Sequence, residues 1–295
     1  MFLQARKVGK CRNCRKMQLF LRVDLGRKVW YNRFQQAKET VMKETFYKYD
    51  VPAKICLLAD IHDQPFDEVS ASIRRQKPDI IAIAGDILRR VRRDTSEPVI
   101  LQPQYSLDFV KACAACAPTF MSLGNHEWML SQKDLEIIRD AGAVVLDNEF
   151  VMQGGLCIGG LSSSGYTAYK EFRRGKAEVY PEWNYFNAPQ RSEPETDWLG
   201  EFEKQGGYKL LLCHHPEYYP KYLSGRAIDL ILSGHAHGGQ IRLFGRGLFA
   251  PGQGAFPKYT SGIHGSMIIS RGLSNTGGMV PRLFNRREIV YIVPK

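Results

Sequence analysis

Residues 54–62 read Lys-Ile-Cys-Leu-Leu-Ala-Asp-Ile-His, a short apolar run that ends in an aspartate and a histidine two positions apart. Similar apolar runs cover residues 79–84, 119–123, 209–213 and 228–232. Each has the length and composition of a buried strand, and helical patterns lie between them. This alternation predicts an α/β domain, for which a chain of 295 residues is long enough.

Side chains of the types that bind metal ions follow each of the five predicted strands. They are Asp60 and His62, Asp86, Asn125 and His126, His214, and His235 and His237. Because active sites of open α/β sheets lie beyond the carboxyl ends of their strands, we expect these residues to converge. Divalent ions bind imidazole, carboxylate and carboxamide groups, and two adjacent ions can promote attack on a phosphate ester.

Each of these strings, taken alone, also fits a structural role. An Asp-X-His string and a Gly-Asp dipeptide are common at turns, and adjacent histidines such as His214 and His215 fit a pair of core imidazoles. The glycines around His235 and His237 indicate instead a backbone that approaches another group closely. Six of the seven histidines fall in four short strings, and this joint pattern favours a metal site.

The order Asp-X-His, Gly-Asp, Gly-Asn-His-Glu, His and Gly-His-X-His resembles the calcineurin-like metallophosphoesterase superfamily over about residues 50–295. The strings at residues 234–240 and 282–286 resemble its stand-alone bacterial branch. After Asp86 the chain lacks the Asp-Arg-Gly of the Ser/Thr protein phosphatases. It departs from the bacterial branch at Glu127, where Asp is frequent, and at Arg287, where Pro is frequent.

The resemblance implies a four-layer α/β/β/α sandwich with two mixed β-sheets and a dinuclear metal site at the C-terminal ends of the strands. It implies seven ligands in two sets joined by one carboxylate: Asp60, His62 and His237 for one ion, Asn125, His214 and His235 for the other, and Asp86 between them. A hydroxide between the ions is the implied nucleophile. His126 is implied to be catalytic rather than a ligand, and to donate a proton to the leaving oxygen.

The residues and the resemblance together predict a dinuclear metal-dependent phosphohydrolase that cleaves a phosphomonoester, a phosphodiester or a diphosphate. The two ions can be Mn, Fe, Zn or Ni, since selection among them depends on geometry and supply. A metal-dependent nuclease that grips nucleic acid through a basic N-terminal segment is the alternative. A binding scaffold without chemistry is disfavoured, because all seven expected ligands and His126 are present.

The positive charge of the chain is concentrated near its start. Residues 1–50 hold 13 Lys and Arg against 4 Asp and Glu, which gives +9 of the total net charge of +11. We predict a basic extension over residues 1–49, with a helix at about residues 27–43, followed by a metallophosphoesterase domain at residues 50–295. Such an extension fits an anionic membrane surface or nucleic acid, and a solvated arm is an equal alternative.

Several features bear on the compartment. The first residues lack the apolar run of a signal peptide, and no stretch approaches the roughly 18 apolar residues of a membrane span. Seven cysteines without disulfide spacing favour a reducing compartment, although Cys11 and Cys14 fit a metal or redox pair. Cys113 and Cys116 lie in a helical pattern typical of core residues. We expect a cytoplasmic protein, with peripheral contact at the inner face of the membrane as an open alternative.

The sequence indicates the reaction more clearly than the substrate. Residues 162–198 mix aromatic and basic side chains without a regular period, which fits either a lid over the site or a surface excursion packed on the domain. For His215, a substrate-facing role and a packing role both stay open. His264 fits a surface loop better than the cleft.

Overall fold

The computed structural model describes residues 42–89, 98–128, 130–163, 193–274 and 282–295. Two six-stranded sheets form its centre. In spatial order the strands of the first sheet are β1 (Lys43–Tyr49), β16 (Glu288–Pro294), β2 (Ile55–Leu58), β3 (Ile80–Ala84), β4 (Thr119–Ser122) and β5 (Ala143–Leu146). Those of the second sheet are β14 (Gly262–His264), β15 (Met267–Ile269), β9 (Leu230–Ser233), β8 (Tyr208–Cys213), β7 (Leu156–Leu161) and β6 (Glu149–Gln153).

Helices and short ribbons connect these strands. The described helices are α1 (Asp67–Gln76), α2 (Ser106–Ala114), α3 (Gln132–Asp140) and α4 (Leu199–Lys204). Single turns of 3₁₀ helix lie at Val99–Leu101 and His237–Gly239, and a π-helical turn lies at Tyr219–Leu223. Two ribbons pair β10 (Arg242–Leu243) with β11 (Arg246–Gly247), and β12 (Phe249–Ala250) with β13 (Gly254–Ala255).

Both sheets are mixed. Strands β2, β3, β4 and β5 run parallel to one another, as do β7, β8, β9 and β15. Strand β16 runs antiparallel to β2 and parallel to β1, while β6 and β14 run antiparallel to their neighbours. Every residue of β3 is buried, because a central parallel strand is covered on both faces. The five predicted strands correspond to β2, β3, β4, β8 and β9.

Three apolar layers separate four layers of structure. Alternate residues of the first sheet, such as Ile81, pack with Ile73 of α1 and Phe109 of α2 on its outer face. The other face of that sheet packs against the second sheet in a core that includes Leu57 and Leu212. The outer face of the second sheet carries a third apolar core, to which α4 contributes Leu199 and Phe202. The predicted α/β/β/α sandwich is confirmed.

The sheet begins earlier in the chain than the domain boundary predicted at residue 50. Strand β1 pairs in parallel with β16 along its whole length, and Phe46 stacks on Tyr291 with ring centroids 5.3 Å apart. The Thr45 hydroxyl donates to Glu288 across the same pair of strands. Because β1 is an edge strand with three charged residues and only Thr45 buried, its sequence continues the polar pattern of the basic segment before it.

Some predictions concern residues outside the described ranges. They are those for residues 1–41, including Cys11 and Cys14, and those for the aromatic segment at residues 164–192. At the described end of that segment, Trp198 packs against Phe150 and Phe202. Cys113 is buried on α2, as its helical pattern predicted. Among the described residues, no helix combines the length and the apolar character needed to cross a membrane.

Candidate metal centre

The predicted ligands meet at one edge of the sandwich. The loops after β2, β3 and β4 reach this edge from the first sheet, and those after β8 and β9 reach it from the second. Among the described residues, four groups of side chains there have ligand atoms within 4.8 Å of one another: Asp60, His62 and His237; His62, Asp86 and His126; Asp86, His214 and His235; and His215, Glu217 and His235. The convergence predicted from the strand ends is therefore present.

The loops hold these residues in an unusual backbone conformation. Five of the seven predicted ligands have positive φ angles: Asp60 (57°), His62 (47°), Asp86 (56°), His235 (64°) and His237 (45°). Non-glycine residues adopt this left-handed region rarely, and such residues cluster at functional sites. Close packing fixes the loops, since a side chain on Gly124 would overlap Asp86.

The first group, Asp60, His62 and His237, brings two imidazoles and a carboxylate close together. His62 Nε2 lies 3.4 Å from His237 Nε2, and these atoms lie 3.8 Å and 3.5 Å from Asp60 Oδ1. The other ring nitrogens face carbonyl oxygens, with His62 Nδ1 3.0 Å from Leu88 O and His237 Nδ1 3.3 Å from Ser274 O. A proton on each Nδ1 donates to these carbonyls and leaves both Nε2 lone pairs directed at the same space.

The second group is arranged around Asp86. His214 Nε2 lies 3.1 Å from Asp86 Oδ2, and His214 Nδ1 lies 2.6 Å from the carbonyl oxygen of Ala84. The same Asp86 oxygen lies 3.7 Å from His62 Nε2, so this carboxylate stands between the two groups. The side-chain oxygen of Asn125 is buried and has no hydrogen-bond partner among the described residues.

Burial and mutual proximity shift the titration of these groups. Burial lowers the pKa of His62 to about 4 and holds the pKa values of His235 and His237 well below the ordinary value, so these imidazoles are neutral. Burial opposes the charge on Asp86, yet the neighbouring imidazole of His214 keeps its pKa well below the usual range. Burial likewise opposes protonation of His214, but Asp86 raises that pKa to about 10. Asp86 is therefore ionised and paired with the protonated imidazole of His214, and a cation that binds to His214 displaces that proton.

Comparison with known proteins identifies the family of the chain. Residues 53–239, more than half of the chain, match the sequence model of the calcineurin-like phosphoesterases. The chain belongs to this family. The predicted superfamily is confirmed, and the predicted enzyme class, a metal-dependent phosphoesterase, is that of the family.

The relatives of this calcineurin-like phosphoesterase include bacterial proteins. An uncharacterized metallophosphoesterase of Helicobacter pylori is 26% identical over 222 residues, which cover 72% of this chain and 52% of that protein. Phosphodiesterase YaeI of Escherichia coli is 28% identical over 204 residues, which cover 65% of this chain and 63% of that protein. The chain thus spans about half to two thirds of the length of these two relatives. A crystal structure of a 5'-nucleotidase precursor from Thermus thermophilus matches with 15% identity and a TM-score of 0.39, over 62% of this chain and 41% of that one.

Glu127 joins two loops of the phosphoesterase site, a role that the sequence analysis did not assign. Its buried carboxylate accepts hydrogen bonds from the backbone N–H groups of Asp86 at 2.7 Å, Leu88 at 3.1 Å and Gly124 at 2.8 Å. The carboxylate therefore ties the loop after β3 to the loop after β4. A glutamate three residues after Gly124 was the only sequence signal.

Glu217 was not singled out either, and it lies beside a predicted ligand. Its Oε1 atom is 2.9 Å from His215 Nδ1 and 3.7 Å from His235 Nε2. A carboxylate behind a metal-binding imidazole fixes the ring orientation and increases its basicity. The His215 ring also stacks on Tyr218, with centroids 4.8 Å apart. The buried His215 thus packs behind His235 and holds Glu217 in place.

His126 and His264 occupy different surroundings. The His126 side chain is 15% exposed, more than those of the histidines predicted as ligands, and its Nε2 lies 3.9 Å from Asp86 Oδ2. Its backbone N–H donates to Asp86 Oδ1 at 2.8 Å. His264 instead lies on β14, where its Nε2 is 3.1 Å from Ser261 O, and it joins no metal-binding group among the described residues.

Proposed function

We propose that this chain is a dinuclear metal-dependent phosphohydrolase. The observation that carries the proposal is the position of Asp86, whose Oδ2 lies 3.1 Å from the imidazole of His214 and 3.7 Å from that of His62. One carboxylate thus touches both groups of donors. A shared carboxylate is the means by which a protein holds two cations close enough to act on one phosphoryl group.

The residues present fit two divalent ions. The donors are imidazoles, of which those of His62, His235 and His237 are held neutral by burial, together with carboxylates and a carboxamide. Such a set suits Mn, Fe, Zn or Ni. The unpartnered Asn125 oxygen supports the fit, because a buried acceptor without a donor is costly unless a cation satisfies it. We assign one ion to Asp60, His62 and His237, the other to Asn125, His214 and His235, and Asp86 to both.

The ions would supply two effects when bound, namely neutralisation of charge on the phosphoryl oxygens and a lower pKa for water. The chain itself supplies orientation and a proton. The hydrogen bond from the His126 N–H to Asp86 fixes the backbone that carries the His126 ring, and the partial exposure of the ring leaves it accessible to a substrate. We assign to this imidazole the donation of a proton to the leaving oxygen, a role that contributes about 10²–10⁴-fold in rate.

Elemental analysis of the purified chain, combined with a panel of phosphoesters, tests the proposal. The panel contains a generic phosphodiester, a phosphomonoester and a diphosphate, and we expect metal-dependent turnover of at least one of them. Asp86→Ala should lower the metal content and abolish this turnover. The control is Asp108→Ala, which removes an aspartate that is 66% exposed and pairs with Lys111 at the surface. Full activity in a metal-stripped Asp86→Ala protein contradicts the proposal.

A further inference from the structure

We propose that an exposed apolar ridge beside the metal centre docks this protein on an anionic lipid bilayer. The ridge consists of Leu243, Phe244 and Phe284. Phe244 is 104% exposed and Phe284 is 72% exposed, and with Phe256, at 82%, they are the three most exposed large apolar side chains of the described residues. Single exposed apolar residues are ordinary, whereas a contiguous group indicates an interaction surface.

The ridge is contiguous because two segments of chain lie side by side. Phe244 occupies the turn between β10 and β11, and Phe284 lies on a strip that bonds to the start of this ribbon. Within that strip, the Leu283 carbonyl accepts from the N–H of Arg242 at 3.0 Å. The three ridge residues line one open cleft of about 520 Å³, together with Arg242, Gly245 and Arg271.

The backbone at the exposed rings is held in a costly conformation. Phe244 has a φ angle of 48° and Phe284 one of 54°. Bulky residues are outliers in this left-handed region, where glycine and asparagine are the usual choices. A turn required only for chain reversal would not need an aromatic side chain at either position. The rings are therefore placed in solvent against both backbone preference and hydrophobicity, which indicates a partner that covers them.

The charge around the ridge fits an anionic partner. Residues 230–287 contain seven Lys and Arg and no Asp or Glu. Arg271 pairs with Glu288, whose side chain is buried below the surface. The Arg242 guanidinium donates to the carbonyls of Gly238 and Gly245 and to the hydroxyl of Thr260. Its acidic neighbour is the same Glu288, so two arginines share one buried carboxylate. Basic side chains around apolar ones are typical of proteins that bind the interface of anionic membranes.

The shape of the ridge favours a bilayer over nucleic acid. Single-stranded nucleic acids stack their bases on aromatic rings that form the walls of a groove. Although it borders the open cleft, Phe244 stands at the turn of a hairpin and is fully exposed rather than set into a wall, and its neighbour Leu243 offers no stacking surface. A protruding ring can insert among acyl chains, and the arginines can contact the headgroups.

Docking would hold the metal centre close to the bilayer. Arg242 donates to the carbonyl of Gly238, the residue that follows the predicted ligand His237, and Asn285, next to Phe284, donates to the His237 carbonyl at 2.7 Å. The ridge is thus hydrogen-bonded to the loop of the centre. Lipid binding itself needs no metal, so it does not depend on the proposed function.

A flotation experiment on the full chain with chelator present tests the proposal. The vesicles contain either phosphatidylcholine alone or phosphatidylcholine with phosphatidylglycerol. We expect the wild-type chain to bind the anionic vesicles, and Phe244→Asn/Phe284→Asn to lower the partition coefficient by roughly tenfold or more for each ring. Asparagine tolerates the left-handed conformation, so the double variant should fold. Unchanged thermal melting verifies this.

A matched control and a competing ligand complete the design. Met152→Asn removes an apolar side chain that is 53% exposed on edge strand β6 of the second sheet, and it should bind vesicles as the wild type does. Because the basic residues 1–50 are unchanged in every variant, they cannot account for a loss confined to the ridge. The proposal is overturned if the wild type does not bind anionic vesicles or if the double variant binds as well as wild type. It is also overturned if the double variant loses binding only to a single-stranded oligonucleotide.

Discussion

Replacing Glu127 by alanine removes a buried carboxylate that joins two loops of the metal centre. The side chain is fully buried and accepts three backbone hydrogen bonds, from Asp86, Leu88 and Gly124. All three donors belong to segments that carry or flank predicted ligands. The substitution therefore leaves three buried N–H groups without their acceptor and releases the loops that they position.

The size of the effect follows from these three bonds. An unsatisfied buried donor costs about 1–3 kcal/mol, so three donors at the low end cost about 3 kcal/mol. Higher costs per donor would give a larger total, but the loss of a buried charge and the entry of water offset part of it. We therefore expect Glu127→Ala to lower the free energy of unfolding by about 3–5 kcal/mol. Glu127→Gln keeps one oxygen for Asp86 and Gly124 but turns an NH₂ group toward Leu88, so we expect about 1–3 kcal/mol.

Urea unfolding of the metal-free protein, followed by circular dichroism, measures these losses. Asp134→Ala is the control, because that carboxylate is also fully buried and accepts from the N–H groups of Ile100 and Ser131 and from the Ser131 hydroxyl. Both alanine variants should lose similar stability, but only Glu127→Ala should also lose metal affinity. A Glu127→Ala protein within about 1 kcal/mol of wild type, or one with normal metal affinity, would refute the reasoning.

Three further predictions concern the ions and their surroundings. His126→Ala should keep its metal content and lose about 10²–10⁴-fold in turnover, while His264→Ala should change neither; loss of metal from the first variant would make His126 a ligand. Glu217→Gln should weaken metal binding about 10–100-fold, measured by titration of the metal-free protein, because the carboxylate behind His235 is lost; unchanged affinity would reduce Glu217 to a packing role. Chelation should lower the melting temperature, since ions at 100 times their dissociation constant stabilise the native state by about 2.7 kcal/mol. A melting temperature that neither chelator nor added metal changes would contradict a metal site in the native protein.

The parallel strands and the ligand loops could be predicted because their signals are local. A short apolar run such as residues 79–84 followed at once by Asp86 places a carboxylate at a strand end wherever the strand lies in the sheet. Strand β1 could not be recognised in this way, since its half-polar edge pattern follows a basic segment and its partner β16 lies at the other end of the chain.

The residues that support the ligands could not be predicted either. Glu127 accepts from Asp86, 41 positions earlier in the chain, and Glu217 approaches His235, 18 positions later. Neither spacing has a local period, so each contact exists only once neighbouring strands of one sheet have paired, β3 with β4 for Glu127 and β8 with β9 for Glu217. The exposure of Phe244 and Phe284 could not be predicted either, because apolar residues in a sequence are expected to be buried.

A crystal structure of the metal-loaded protein, with anomalous scattering collected at the absorption edge of the ion, tests the central claim most directly. The account predicts two peaks per chain, both in contact with Asp86. One peak should be bound by Asp60, His62 and His237, and the other by Asn125, His214 and His235. A single peak, or a pair of peaks that share no contact with Asp86, would contradict it.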